Sequence, residues 1–102
     1  MSPNFHYIAG RRREYQVKRD LERAGHYVLR SAGSRGHFDL VAINLENGKV
    51  TLVQCKNLQD KAAAKRIMAA FEKNPPLPKS DKYTQLMNVY VTKGREKFEV
   101  EI

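Results

Sequence analysis

The chain has 102 residues, 41% hydrophobic and 29% charged, which fits a single folded domain over 1–102 and excludes an intrinsically disordered polymer. Its net charge of +8, from 19 basic and 11 acidic residues, points to a polyanionic partner, most commonly nucleic acid, with solubility alone as the alternative. No apolar run approaches the ~20 residues needed to span a bilayer, the first residues lack the apolar core of a signal peptide, and the single cysteine, Cys55, forms no intrachain disulfide, so a reducing, cytoplasmic location is expected.

Val17, Leu21 and Ala24 recur at helical spacing and predict a first helix over about Ile8–Ala24, stopped by Gly25. Its other face carries Arg11, Arg12, Lys18, Arg19 and Arg23, and Arg13 completes an arginine run. Seven of the eight basic residues before position 37 are arginine, the better phosphate binder. His26–Ser31 reads as a first strand and Phe38–Leu45 as a second, with an Ala32–His37 loop between them. Asn47-Gly48 is a strong hairpin signal and leads into a third strand, Lys49–Lys56. A second helix is expected over Asp60–Lys73, ended by Pro75, Pro76 and Pro78. Thr84–Lys93 and Lys97–Ile102 supply a fourth strand and a short edge strand. This order implies an α/β fold with a mixed sheet flanked by helices.

A two-residue turn centred on Asn47-Gly48 would pair Glu46 with Lys49, Val41 with Gln54, and Asp39 with Lys56. Asp39, Gln54 and Lys56 would then share one face at the open end of the hairpin, with cross-strand neighbours ~5 Å apart. A turn one residue longer would instead bring Cys55 beside Asp39. A carboxylate, an amide oxygen and an ammonium suit metal-assisted phosphodiester cleavage, because Mg²⁺ is a hard ion that takes oxygen ligands. Asp39, Gln54 and the backbone carbonyl of Cys55 are candidate ligands, with Mn²⁺ able to substitute for Mg²⁺. Glu14 is the candidate second carboxylate, and Lys56 would neutralise charge in the transition state. An Asp39–Lys56 salt bridge capping the hairpin is the competing reading, as is a Glu14 that merely offsets the arginines around it. His6, His26 and His37 lack ligand spacing, and Cys55 reads as a small core residue.

Together these residues resemble the PD-(D/E)xK nuclease superfamily, whose hallmark is an acid on the second core strand and (E/Q)-x-K on the third. Here these are Asp39 and "QCK", Gln54 to Lys56. Gly10 and Glu14, then "GHYVLRSAGSRGHFD" from Gly25 to Asp39, then "VQCK", resemble in particular the archaeal-type Holliday junction resolvases, which also occur in viruses and phages. The resemblance covers about residues 10–57. It implies a restriction-endonuclease-like αβββαβ core, with a further strand, and metal ligation by Glu14, Asp39 and Gln54. It implies catalytic support from Lys56, and roles for Ser34 and Arg30 near the scissile phosphate. It implies a homodimer making paired symmetric nicks in four-way DNA junctions during recombination and repair. Phosphate contacts are expected from Arg11, Arg12, Arg13, Lys18, Arg19, Arg30 and Arg35. Gln54 departs from the resolvases, which usually carry glutamate there, and resembles Mrr-like restriction endonucleases. A nuclease acting on duplex DNA and a decayed DNA-binding module are therefore the alternatives.

Overall fold

The computed structural model describes the backbone of residues 5–31 and 36–102, and side chains from residue 11 onward within those ranges. The elements are α1 (Phe5–Arg23), β1 (His26–Arg30), β2 (Leu40–Asn44), β3 (Val50–Leu58), α2 (Lys61–Lys73), β4 (Tyr83–Val91) and β5 (Glu96–Glu101). They form one sheet in the order β1-β2-β3-β4-β5. All neighbours are antiparallel except β3 and β4, which run parallel because the chain crosses over through α2 between them. The α/β architecture with a mixed sheet between two helices matches the expectation from sequence.

Each helix covers one face. Val17 of α1 packs with Val28, Leu40, Ala42, Val53 and Leu86, and Leu21 and Cys55 border this cluster. On the other face Ala64 and Phe71 of α2 pack with Met87, Val89 and Val91. β4 is buried on both faces, with Leu86 in the α1 cluster and Met87, Val89 and Val91 in the α2 cluster. Asp60 caps α2, its carboxylate accepting the Ala63 N–H at 2.8 Å.

The hairpin register differs from the expected one. Leu40 pairs with Val53, Val41 with Leu52 and Ile43 with Val50. The ladder closes at Asn44 and Lys49, with Asn44 N–H donating to the Lys49 carbonyl at 2.8 Å. The loop therefore spans Leu45 to Gly48 rather than two residues. The cause is Asn44, whose Oδ1 accepts the N–H groups of Glu46 at 2.8 Å and Asn47 at 3.3 Å. That side-chain turn closes before Asn47-Gly48 can form a two-residue turn of its own. Gly48, at φ 74, takes the left-handed position the longer loop needs.

The Pro-rich connector after α2 is tied to the sheet. Gln85 of β4 accepts from the Leu77 N–H and donates to the Leu77 carbonyl, both at 3.0 Å. No described helix is long and apolar enough to cross a membrane. Leu40 is fully buried between α1 and the sheet. Leu40→Ala should lower the unfolding free energy by about 2–5 kcal/mol, measured by urea denaturation.

Candidate functional site

At Asp39 the chain changes faces. Phe38 packs into the α2 core and Leu40 into the α1 core, whereas alternate residues of a regular strand share a face. The Asp39 N–H donates to the Val53 carbonyl at 2.8 Å, although Leu40 is the ladder partner of Val53. Two residues thus oppose one, the geometry of a β-bulge, which re-aims a side chain. Its carbonyl accepts from the Ser31 N–H at 2.9 Å. Its Oδ2 accepts the Cys55 N–H at 2.8 Å. That N–H points to where β2 would have continued, so the carboxylate replaces the missing ladder carbonyl and lies at the sheet edge.

Glu14 comes to the same edge from α1. Its Oε2 accepts from Arg30 Nη2 at 3.2 Å and Nε at 3.3 Å, and both side chains are mostly buried. Burial, and then the negative charge of Asp39, raise the proton affinity of Glu14; Arg30 opposes them. Asp39 thus acts on Glu14 as a neighbouring like charge. Arg30 also lies 5.0 Å from the centre of the Tyr15 ring, and Arg11 lies 5.7 Å from it.

Gln54 and Lys56 flank Cys55 along β3 but leave it on the α2 side. There they line a pocket of about 340 Å³ with His37, Ile67, Phe71, Pro76 and Met87, among others. The expected convergence on one face is therefore corrected. Gln54 and Lys56 stay together, while the bulge turns the Asp39 carboxylate to the sheet edge beside Glu14. Lys56 makes no ion pair with Asp39, so the competing reading of a salt-bridged hairpin cap does not hold.

Cys55 borders the α1 core. Burial first, then Asp39 and Glu14, push its thiol up to about 12, so it is neutral at ordinary pH and no nucleophile. Its backbone is what the site uses: in a strand the carbonyl points the same way as the N–H, here toward Asp39.

The arginine run divides. Arg12 and Arg19 are exposed, and Lys18 is tethered to Glu22 at 2.9 Å. Arg13 is only 4% exposed and donates to Asn88 and Gln16, so it does not share the open surface of Arg12 and Arg19. The signal was present in the sequence, because Arg13 lies four residues before Val17 and eight before Leu21 on the inward helix face. Asn88, a polar residue inside an apolar strand, was the other trace. Ser34 and Arg35 lie outside the described residues.

Among the described residues no group of three His, Cys, Asp or Glu side chains gathers to hold a metal ion. The carboxylates at this edge are Glu14 and Asp39, and Gln54 bonds to neither. The donor set still suits a hard divalent cation, because two mutually repelling carboxylates and a strand carbonyl leave the remaining positions to water. No protein-family model and no curated protein matches the chain.

A cation between Glu14 and Asp39 would compete with the proton that Glu14 holds more tightly than an ordinary glutamate. Raising the pH through and above the normal glutamate range deprotonates Glu14, so the upward shift in melting temperature produced by Mg²⁺ should grow with pH. Thermal unfolding with and without Mg²⁺ from pH 5 to 8 measures it.

Proposed function

We propose that the protein is a Mg²⁺-dependent endodeoxyribonuclease that resolves four-way DNA junctions. The observation that carries this reading is the Glu14–Asp39 carboxylate pair, held at the sheet edge where β3 presents Gln54-Cys55-Lys56. Mg²⁺ bound there would lower the pKa of a water and polarise the phosphate. Asp39 and Glu14 are the anionic ligands, and the Cys55 carbonyl is a neutral one. Arg30 holds Glu14 in place and adds positive charge near an incoming phosphate. Lys56, on the neighbouring side of β3, neutralises charge developing on the phosphate as water adds and the bridging oxygen leaves with a proton. Ser34 is assigned to positioning the scissile phosphate by resemblance alone. Arg11, Arg12, Lys18, Arg19 and Arg35 supply backbone affinity outside the reacting centre.

Paired nicking needs two copies. Tyr27, Ile43 and Val50 align across β1, β2 and β3, as do Leu29, Val41 and Leu52. Tyr27 and Leu29 are 55% and 51% exposed. This apolar face is continuous with Gln54 and Lys56 on β3, so a second copy docked on it would set two sites side by side. Leu29→Lys should convert a dimer to monomer by light scattering.

A DNA-binding module with a decayed site is the second reading, favoured by Gln54, which lacks charge and touches neither carboxylate. Cleavage of a labelled four-way junction beside matched linear duplex, with Mg²⁺ or Mn²⁺, decides between them. Asp39→Asn keeps an oxygen for the Cys55 N–H, so the fold should survive while cleavage falls about 10²–10³-fold. Junction-selective paired nicks support the resolvase, and equal cutting of duplex indicates an Mrr-like nuclease. Activity found only in Gln54→Glu indicates a decayed site.

A further inference from the structure

A second polar pocket lies on the α1 side of β3. It measures about 240 Å³ and is lined by Arg12, Arg13, Gln16, Asn57 and Tyr90. Arg13 is its built element. Arg13 Nε donates to Asn88 Oδ1 at 3.1 Å, Nη2 donates to the same oxygen, and Nη1 donates to Gln16 Oε1 at 3.1 Å. The Tyr90 ring lies 5.4 Å from its guanidinium carbon. All these partners are neutral, and Arg13 makes no ion pair among the described residues. The carboxylate of Glu99 is reached only through Asn88, whose Nδ2 donates to it at 2.8 Å.

A buried cation without a counter-ion is costly, and an anion entering beside it relieves that cost. The guanidinium has more N–H groups than its bonds use, and the rest are available to an acceptor in the pocket. Asn57 gives an independent sign of an unfilled site: its Oδ1 is buried without any hydrogen-bond partner. A half-turn of that amide presents Nδ2 instead, at almost no change in shape. Arg12, exposed at the rim, adds a second positive charge.

The position is also telling. Asn57 lies two residues beyond Cys55 on the same face of β3, ~6.6 Å along the strand, and Arg13 adjoins Glu14 in α1. We infer that this pocket is a phosphate subsite, which receives the backbone phosphate next to the scissile one on the same nucleic-acid strand. Its role as a neighbour of a scissile phosphate rests on the nuclease reading above; its affinity for phosphate does not. Arg13 and Asn57 are positioning residues, which set the strand's register on the reacting edge.

Asn57→Asp tests it by supplying an internal anion of equal size. The variant should melt at higher temperature than wild type, because Arg13 gains a counter-ion. In metal-free buffer its Kd for junction DNA should rise about tenfold, as one charge-assisted contact is lost. The slope of log affinity against log salt should fall by about one. Inorganic phosphate, followed by NMR at the Asn57 side-chain amide and Arg13 Nε–H, probes the pocket without DNA. Saturable shifts are expected in wild type, weaker ones in Arg12→Gln, and none in Asn57→Asp. Arg12 is exposed, so its variant keeps the test open should Asn57→Asp fail to fold. Unchanged DNA affinity and salt slope in Asn57→Asp would overturn the subsite, as would phosphate that leaves those resonances unmoved. Neither measurement reads cleavage, so a protein that shifts with phosphate yet never cuts junctions would refute the nuclease reading and leave the phosphate site standing.

Discussion

The hydrogen bond from the Cys55 amide to the Asp39 carboxylate organises the end of the sheet where the candidate site lies. β2 starts only at Leu40, so the outward N–H of Cys55 would face a gap in the ladder. A buried strand amide needs an acceptor, and the bulge at Asp39 provides one from a side chain. The same bond holds an anion at the edge of the sheet and draws the chain from the α2 face to the α1 face within three residues. The raised proton affinity of Glu14 and the inert thiol of Cys55 both reflect that fixed charge.

Around this edge the polar groups are held by bonds that span long stretches of sequence. Arg30 of β1 holds Glu14 of α1, and Asn88 of β4 holds Arg13 of the same helix. These contacts set the rotation and height of α1 over the sheet more sharply than Val17 and Leu21 alone, because hydrogen bonds are directional and apolar packing is not. Two neighbouring residues of one helix are thereby given different work. Glu14 faces Asp39 at the candidate site, and Arg13 lines the adjoining pocket.

The two faces of β3 divide the candidate site residues. The α1 side and the strand plane carry the carboxylates, and the α2 side carries Gln54 and Lys56 with an apolar groove beneath them. A phosphodiester at the sheet edge would meet anionic metal ligands on one side and an ammonium on the other. Rigid strands are well suited to holding such an arrangement. The exposed apolar rows on β1 and β2 lie beside this edge, so a second copy docked on them would stand next to the proposed site.

The kind and order of all seven elements were legible in the sequence, because apolar periodicity, Gly25 and the prolines after α2 act locally. Glu14, Asp39, Gln54 and Lys56 stood out in the sequence as a motif at fixed spacing, though the side from which each approaches did not. Register was not legible: Asn47-Gly48 advertised a two-residue turn, but Asn44 captured the amides of Glu46 and Asn47 and closed a longer loop. Nor was the bulge, since only the face of the sheet taken by Phe38 and by Leu40 distinguishes Asp39 from an ordinary strand residue. Local propensity thus determined the elements from the sequence alone. Which polar group meets which was decided by the tertiary structure, where burial favours a partner for each polar group from wherever in the chain one can reach.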